Sequence, residues 1–448
     1  MILMRVLHRI KGPKKIPPAR PKKKKPKKRK GVVEAYDAAD IVKKKQKAQK
    51  RKRGASARKR SKANTDSTDV DLTWIRTEQP FTVPEEVRKL IQTLTDAHHV
   101  AYLVGGSVRD FLLGRPTKDH DIATDAKPDT LVKLFPNAIT VGKAFGVIKV
   151  PIEDSVVEIT TFREDQAYLD HRHPKKVTFK GPIEDSKRRD FTINALYYDT
   201  KTQRILDLTG GLQDLHQRLI RAIGNPTDRF QEDALRLLRA VRFSTSLQFE
   251  IESETYRAIK KRFRLLGKVS KERVQQEMNL MLTGPAPHHA IRMLSETNLI
   301  LEMIPEIEWL KSLAHPAESH SEESAWSHTI ASLELFSKIK EKSKALAWSV
   351  LLHEIKKPNP TVRDPKNPST LLERDNLFYI QKICKRLKLD THTTHKVVLY
   401  ISELSKFKEV YQMREATLQK WLRQDYFSEL LELHRIIALS SDGNLAFY

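Results

Sequence analysis

Two aspartates one residue apart, Asp119 and Asp121, follow a glycine pair, Gly105 and Gly106, and an arginine, Arg109, in the stretch YLVGGSVRDFLLGRPTKDHDIAT at 102–124. On an extended strand, residues i and i+2 project from the same face, so these two carboxylates can share a pair of hard cations. Such cations take oxygen ligands and bridge substrate phosphates. A turn without Cβ atoms lets backbone N–H groups close on a phosphate. Together these residues describe a triphosphate cradle feeding a two-metal phosphoryl-transfer site. Taken alone, Asp-His-Asp would read as a solvated loop and Gly-Gly as a hairpin turn. The motifs downstream separate this case from that one.

The strand-like run SVVEITTF carries Glu158, a candidate third carboxylate that would complete an ion's coordination or accept a proton from an attacking hydroxyl. On a sheet with one wet face it would equally serve as a solvated strand residue. Next, KRRDFTINAL at 187–196 offers Arg188 and Arg189 as a bidentate phosphate clamp, with Asp190 and Asn194 able to bind a ribose hydroxyl. DLTGG at 207–211 reads as a turn. In RFQEDALRLLRAVRF the periodicity predicts one amphipathic helix holding Glu232, Asp233 and Arg236, with Asp233 and Arg236 as i,i+3 neighbours. Such a pair is either a base-reading edge or an intrahelical ion pair.

These residues need a frame. Helical spacing marks 85–98, and short β-like runs follow: AYLVGG, DHDIAT, GVIKVPI, SVVEITTF, NALYYD and ILDLTGG. VRDFLLG and PDTLVKLF interrupt them as helices. The pattern predicts an α/β head with a mixed sheet over 85–223, a helical neck over 224–285 and a helical body and tail over 286–448. Ahead of the head lie a basic tail at 1–63 and a polar linker at 64–84. The chain's 448 residues carry a net charge of +26, but residues 1–63 hold 26 of the basic side chains against three acids, so +23 resides in the tail. Such a segment has little apolar surface to bury and is expected to stay disordered, attracting RNA phosphates without sequence preference. A solubilising or targeting extension would have the same composition. A single cysteine, Cys384, excludes an internal disulfide framework and suits a reducing, cytoplasmic setting. No apolar run approaches the ~18 residues that span a bilayer, and MILMRVLHRI makes a poor secretory signal.

The order of these motifs resembles the class II template-independent nucleotidyltransferases of the polymerase-β superfamily, that is, CCA-adding tRNA nucleotidyltransferases and bacterial poly(A) polymerases. GGSVRD with DHD resembles the first motif of that family, RRDFTINA its ribose-proximal motif, DLTGG its hinge and EDALR its base-reading EDxxR element. The resemblance implies that Asp119 and Asp121 hold Mg²⁺ and that Gly105, Gly106, Ser107 and Arg109 cradle the triphosphate. It further implies that Arg188, Arg189, Asp190 and Asn194 contact sugar and phosphates, and that Asp233 and Arg236 pair with C or A. The implied reaction is in-line attack of an RNA 3′-hydroxyl, that of tRNA, on the α-phosphate of CTP or ATP, without a template. Gly146 in VGKAFGVIKV and the alanine of EDALR resemble the CCA type, and 163–179 resembles the flexible loop of CCA- and A-adding enzymes. The basic tail points instead to poly(A) synthesis on general RNA, and a non-catalytic RNA-binding protein is the rival of another class. Farther on, AWSHTIASLELF and AWSVLLHEIKKP resemble the HD phosphohydrolase pattern, but the expected His-Asp pair is His353-Glu354 and several ligands are missing. A scaffold is the expectation there, with His328 and His353 as remnants.

Overall fold

The computed structural model describes residues 74–77, 81–117, 119–153, 155–168, 174–312, 324–355 and 368–442. The basic tail and most of the linker lie outside these residues. The head is a seven-stranded mixed sheet in the order β1-β9-β8-β2-β3-β5-β4. Its strands are β1 (Trp74–Arg76), β2 (Ala101–Val104), β3 (Asp121–Thr124), β4 (Val147–Ile152), β5 (Ser155–Thr161), β8 (Leu196–Asp199) and β9 (Arg204–Asp207). Between β5 and β8, β6 (Arg163–Tyr168) and β7 (Pro174–Phe179) form a separate antiparallel hairpin. All six strand-like runs read from the sequence are strands. β1 was not foreseen: Trp74–Arg76 falls in the predicted linker, yet it pairs antiparallel with β9 at the sheet edge, and Phe81 and Val83 enter the core behind it.

Alternation assigns the two faces of the sheet different work. Leu103, Ile122, Ile148, Val157 and Ile159 point to one side and pack under the helices α1 (Glu85–Asp96), α2 (Gly106–Leu112) and α3 (Pro128–Leu134), which bring Val87, Leu94, Val108 and Leu131. The opposite parity carries Val104, Ala123 and Tyr197, and with them Asp121 and Glu158. That second face stays open to build a site.

After β7 come α4 (Pro182–Arg188), α5 (Gly211–Gln217), the two-residue strand β10 (Leu219–Ile220), α6 (Pro226–Glu232), α7 (Arg236–Leu247), β11 (Glu250–Ile251), α8 (Ser253–Arg262), α9 (Lys271–Leu282) and α10 (Pro287–Glu296). The body adds α11 (Ala325–Ser337), α12 (Lys344–Leu352), α13 (Pro368–Arg386), α14 (Thr391–Glu403), α15 (Lys406–Glu409), α16 (Glu415–Leu422) and α17 (Phe427–Asp442). One apolar core runs from Phe191 and Ile193 of the head through Leu237, Val241 and Met278 of the neck to Trp348 and Leu433 of the body. The neck is therefore docked on the head through a shared interior, which fixes α7 against the open face of the sheet. Cys384 lies fully buried in α13, and burial pushes its thiol up to about 12, as befits a structural residue. Among the described residues, no helix is long and apolar enough to cross a membrane.

Candidate active site

The turn between β2 and α2 begins the site. Gly105 adopts φ +80°, in the left-handed region that favours glycine, and a Cβ there would stand 3.6 Å from Asp121 Oδ2. The cross-strand pair Val104–Asp121 sets that aspartate at the mouth of the turn. A cleft of about 400 Å³ opens here. Of the residues read from the sequence, Gly105, Gly106, Arg109, Asp121, Arg188, Arg189, Asp190, Asn194, Asp233 and Arg236 line it. Ser107, Asp119 and Glu158 are not in its lining. Ser107 is buried and donates to the Val104 carbonyl at 3.4 Å. Asp119 is exposed and precedes β3, which starts at Asp121, so the two aspartates do not share one strand face as expected. Between them His120 is buried near the Phe81 ring, 5.9 Å between centroids.

Glu158 does lie beside Asp121, one step back in the parallel register from Ile122–Ile159. Its carboxylate accepts a 2.7 Å ion pair from Lys149 on β4. Burial pushes the Asp121 carboxyl up to about 6, and the neighbouring Glu158 and Asp119 charges add to the rise against Arg189 and Lys149. Asp121 is thus a desolvated carboxylate that feels two further negative charges, a situation that a divalent cation would relieve, although the oxygens of the three acids do not gather within 4.8 Å of one another.

A hydrogen-bonded network orders the rest. Arg109 Nη1 donates to Asn194 Oδ1 at 2.7 Å, and Asn194 Nδ2 donates to Asp190 Oδ1 at 3.1 Å. Asp190 Oδ2 accepts Nε and Nη2 of Arg239 at 2.8 and 2.5 Å. Burial raises the Asp190 carboxyl, but Arg239 and the hydrogen bonds outweigh it and hold the group at about 2. Arg239 and Phe243 complete the lining, and neither was singled out in the sequence. The signal was present: Arg236, Arg239 and Phe243 recur at helical spacing on α7, one face of one helix. The Phe243 ring carries three guanidinium groups, those of Arg242, Arg239 and Arg109, at 4.1, 5.1 and 5.2 Å.

One expectation fails here. Glu232, Asp233 and Arg236 are not on a single helix, because α6 ends at Glu232 and α7 begins at Arg236. Asp233 sits in the break with extended backbone, and its Oδ1 accepts the Leu235 N–H at 3.1 Å, as a helix-initiating residue does. Nor do Asp233 and Arg236 pair through their side chains. Arg273 of α9 grips Asp233 with two bonds of 3.2 and 3.1 Å. Arg236 instead donates to the Arg188 carbonyl at 2.6 Å and to Glu232 at 3.2 Å.

DLTGG forms a tight loop in which Asp207 accepts backbone N–H groups from Thr209, Gly210, Gly211 and Leu212 at 2.9–3.1 Å. A Cβ at Gly211 would lie 2.2 Å from the Thr192 carbonyl oxygen, so only glycine fits where this loop crosses the RRDFTINA segment. In the body, His328, His353 and Glu354 converge within 4.8 Å, with His353 Nε2 3.3 Å from His328 Nδ1. These are the same three residues that the sequence left of the HD-like pattern.

A mixed sheet whose open face presents acids beside a glycine turn, with an arginine-rich helix lining the same cleft, is the arrangement that the motif resemblance led us to expect. Residues 101–221 match the poly A polymerase head domain, and residues 248–310 match the probable RNA and SrmB-binding site of polymerase A. In these segments the chain is similar to CCA-adding enzymes and poly A polymerases. It is 44% identical over 252 residues to the CCA-adding enzyme of Lactobacillus helveticus, covering 55% of this chain and 63% of that protein. With the CCA-adding enzyme of Bacillus subtilis it shares 46% identity over 215 residues, 48% of this chain and 54% of the relative. The matched segment thus spans under two thirds of these relatives. The crystal structure of the Bacillus stearothermophilus CCA-adding enzyme in complex with CTP superposes with a TM-score of 0.60 at 29% identity, covering 80% of this chain and 78% of that one.

Proposed function

We propose that the protein is a template-independent RNA 3′-end nucleotidyltransferase that adds CMP and AMP from CTP and ATP to tRNA 3′ ends, as a CCA- or A-adding enzyme. The observation that carries this reading is the cleft itself. Five guanidinium groups (Arg109, Arg188, Arg189, Arg236 and Arg239) face three carboxylates (Asp121, Asp190 and Asp233) in one pocket, a surplus of two positive charges suited to a triphosphate. The match to a family whose members include CCA-adding enzymes supports the same reading.

Asp119 and Asp121 would hold Mg²⁺, with Glu158 as a third acid beside them; the raised carboxyl of Asp121 fits a site that awaits a cation. When bound, Mg²⁺ supplies charge neutralisation on the phosphates and activation of the attacking hydroxyl. The chain's own residues do the remaining work. Gly105 and Gly106 allow the backbone to approach the phosphates, and Arg109, Arg188 and Arg189 neutralise them. Asp190 and Asn194, already ordered by Arg239 and Arg109, would receive the ribose hydroxyls. Asp233 and Arg236 would offer one acceptor and one donor to the base edge, standing in for a template. The RNA 3′-hydroxyl oxygen would then bond to the α-phosphorus, giving up its proton to solvent, as the bond from the α-phosphorus to pyrophosphate breaks in line.

The +23 tail supports a second reading, AMP addition to general RNA, because non-specific attraction to phosphates needs no tRNA shape. The test of the first reading is Asp119→Ala in the full chain. It is expected to abolish nucleotide incorporation while RNA binding stays within about twofold. Incorporation at the wild-type rate would sink the assignment.

A further inference from the structure

Asp185 is a carboxylate in α4 with none of its surface exposed, and no motif drew attention to it. Helical spacing sets Arg188 and Arg189 at i+3 and i+4 on its side of the chain. Its two oxygens are divided between them. Oδ1 accepts Nε of Arg188 at 2.8 Å and pairs with Nη2 at 2.7 Å. Oδ2 accepts Nε and Nη2 of Arg189 at 3.2 and 3.0 Å. The Tyr197 hydroxyl on β8 donates to Oδ2 at 2.8 Å, and the backbone N–H of Arg163, at the root of the β6–β7 hairpin, donates to Oδ1 at 3.4 Å. One buried acid therefore joins two neighbouring guanidinium groups to the sheet and to the hairpin.

The charge arithmetic explains why an acid is needed. Two guanidinium groups held side by side away from water repel each other, and an apolar residue at 185 would leave both uncompensated. With Asp185 between them the set carries one net positive charge. Burial pushes the carboxyl up, but Arg189 and then Arg188 pull it down to about 2, so it stays ionised at any working pH. The bonds use the Nε–Nη2 edge of each arginine. A guanidinium has five N–H donors, so the Nη1 end of each, which Asp185 does not engage, can meet an anion in the cleft that both arginines line.

We infer that Asp185 is the positioning residue of the triphosphate-binding wall: it never touches the nucleotide, but fixes Arg188 and Arg189 by one edge so that their other ends meet phosphate oxygens. The inference rests on the reading of the cleft as a nucleoside-triphosphate site. Loss of an ordered, charge-assisted pair of this kind corresponds to about 10–100-fold in affinity.

The experiment is a double-mutant cycle in the full chain with Asp185→Asn, Arg188→Ala/Arg189→Ala and the triple variant, read as KM for CTP, kcat, KM for tRNA and direct binding of inorganic triphosphate. Asp185→Asn is expected to raise KM for CTP and weaken triphosphate binding at least tenfold, with kcat and KM for tRNA changed less than threefold. On the Arg188→Ala/Arg189→Ala background the same change should add almost nothing. Full additivity in the cycle, or unchanged triphosphate affinity in Asp185→Asn, overturns the inference. Should circular dichroism show Asp185→Asn to be unfolded, Tyr197→Phe removes one bond to Oδ2 and should move the same two quantities in the same direction; no change there overturns it equally. A wild-type chain that neither incorporates CMP nor binds triphosphate would instead refute the reading of the cleft.

Discussion

Asp121→Asn should inactivate the protein and stabilise it. In the folded chain the Asp121 carboxyl is raised from 3.8 to about 6, first by burial and then by Glu158 and Asp119. A shift of about two units at ~1.4 kcal/mol each sets a ceiling of about 3 kcal/mol on the cost of keeping this group charged in the fold. An amide of the same shape carries no such cost, so a gain of about 1–3 kcal/mol is expected at pH 7.5 without divalent metal. The sign follows from the direction of the shift. Above pH 6 the carboxylate is charged in both states and the folded one bears the penalty. Between pH 6 and 4 the folded state takes up a proton that the unfolded state still lacks, and the penalty fades. The advantage of the variant should therefore shrink as pH falls through that window. Urea denaturation of both proteins in EDTA, from pH 7.5 to pH 4, measures it. Adding Mg²⁺ should narrow the gap, because an ion that binds only the folded wild-type site stabilises it by mass action. A variant less stable than wild type at pH 7.5, or a difference independent of pH, would refute the argument.

Further outcomes follow from the same geometry. Arg239→Met leaves the buried Asp190 without the partner that holds it at about 2, so a loss of about 3–5 kcal/mol at neutral pH is expected by chemical denaturation. Because the Asp190 and Asp185 carboxyls are both depressed, wild-type stability should fall as pH drops from about 4 toward 2, and Arg239→Met should show less of that fall. Asp233→Ala removes the acceptor that Arg273 orients; steady-state comparison of CTP with UTP should show discrimination reduced by about 1–3 kcal/mol, roughly 5–150-fold. Deleting residues 1–63 removes a charge of +23 and should flatten the salt dependence of RNA binding while leaving turnover at saturating RNA unchanged. An unaltered salt slope would exclude the tail as an RNA contact.

The sequence was most legible where a side chain's neighbours are set by a short, regular segment. The period-two runs from AYLVGG to ILDLTGG became strands, and the cleft residues read from the sequence lie on the β2–α2 turn, α2, the start of β3, the end of α4 with the segment behind it, and the α6–α7 break with the start of α7. It was least legible where partners come from afar. Nothing near Asp233 announces Arg273, 40 residues on, and a continuous helical period across EDALRLLRAVRF hid the break that exposes Asp233. The hairpin β6–β7 is polar along much of its length, so alternation could not reveal it. β1 is only three residues long and owes its existence to β9. Asp185 escaped notice because a buried acid looks, in sequence, like any other charge beside two arginines.

The most direct test of the proposed activity is to supply purified full chain and Mg²⁺ with labelled tRNA ending at the discriminator base, in CC, or in CCA, alongside an unrelated RNA, with CTP and ATP separately and together. Growth confined to tRNA that stops after completing CCA, or after a single A on the CC substrate, is the predicted result. An unbounded A ladder on every RNA, or no incorporation on any of them, would contradict it.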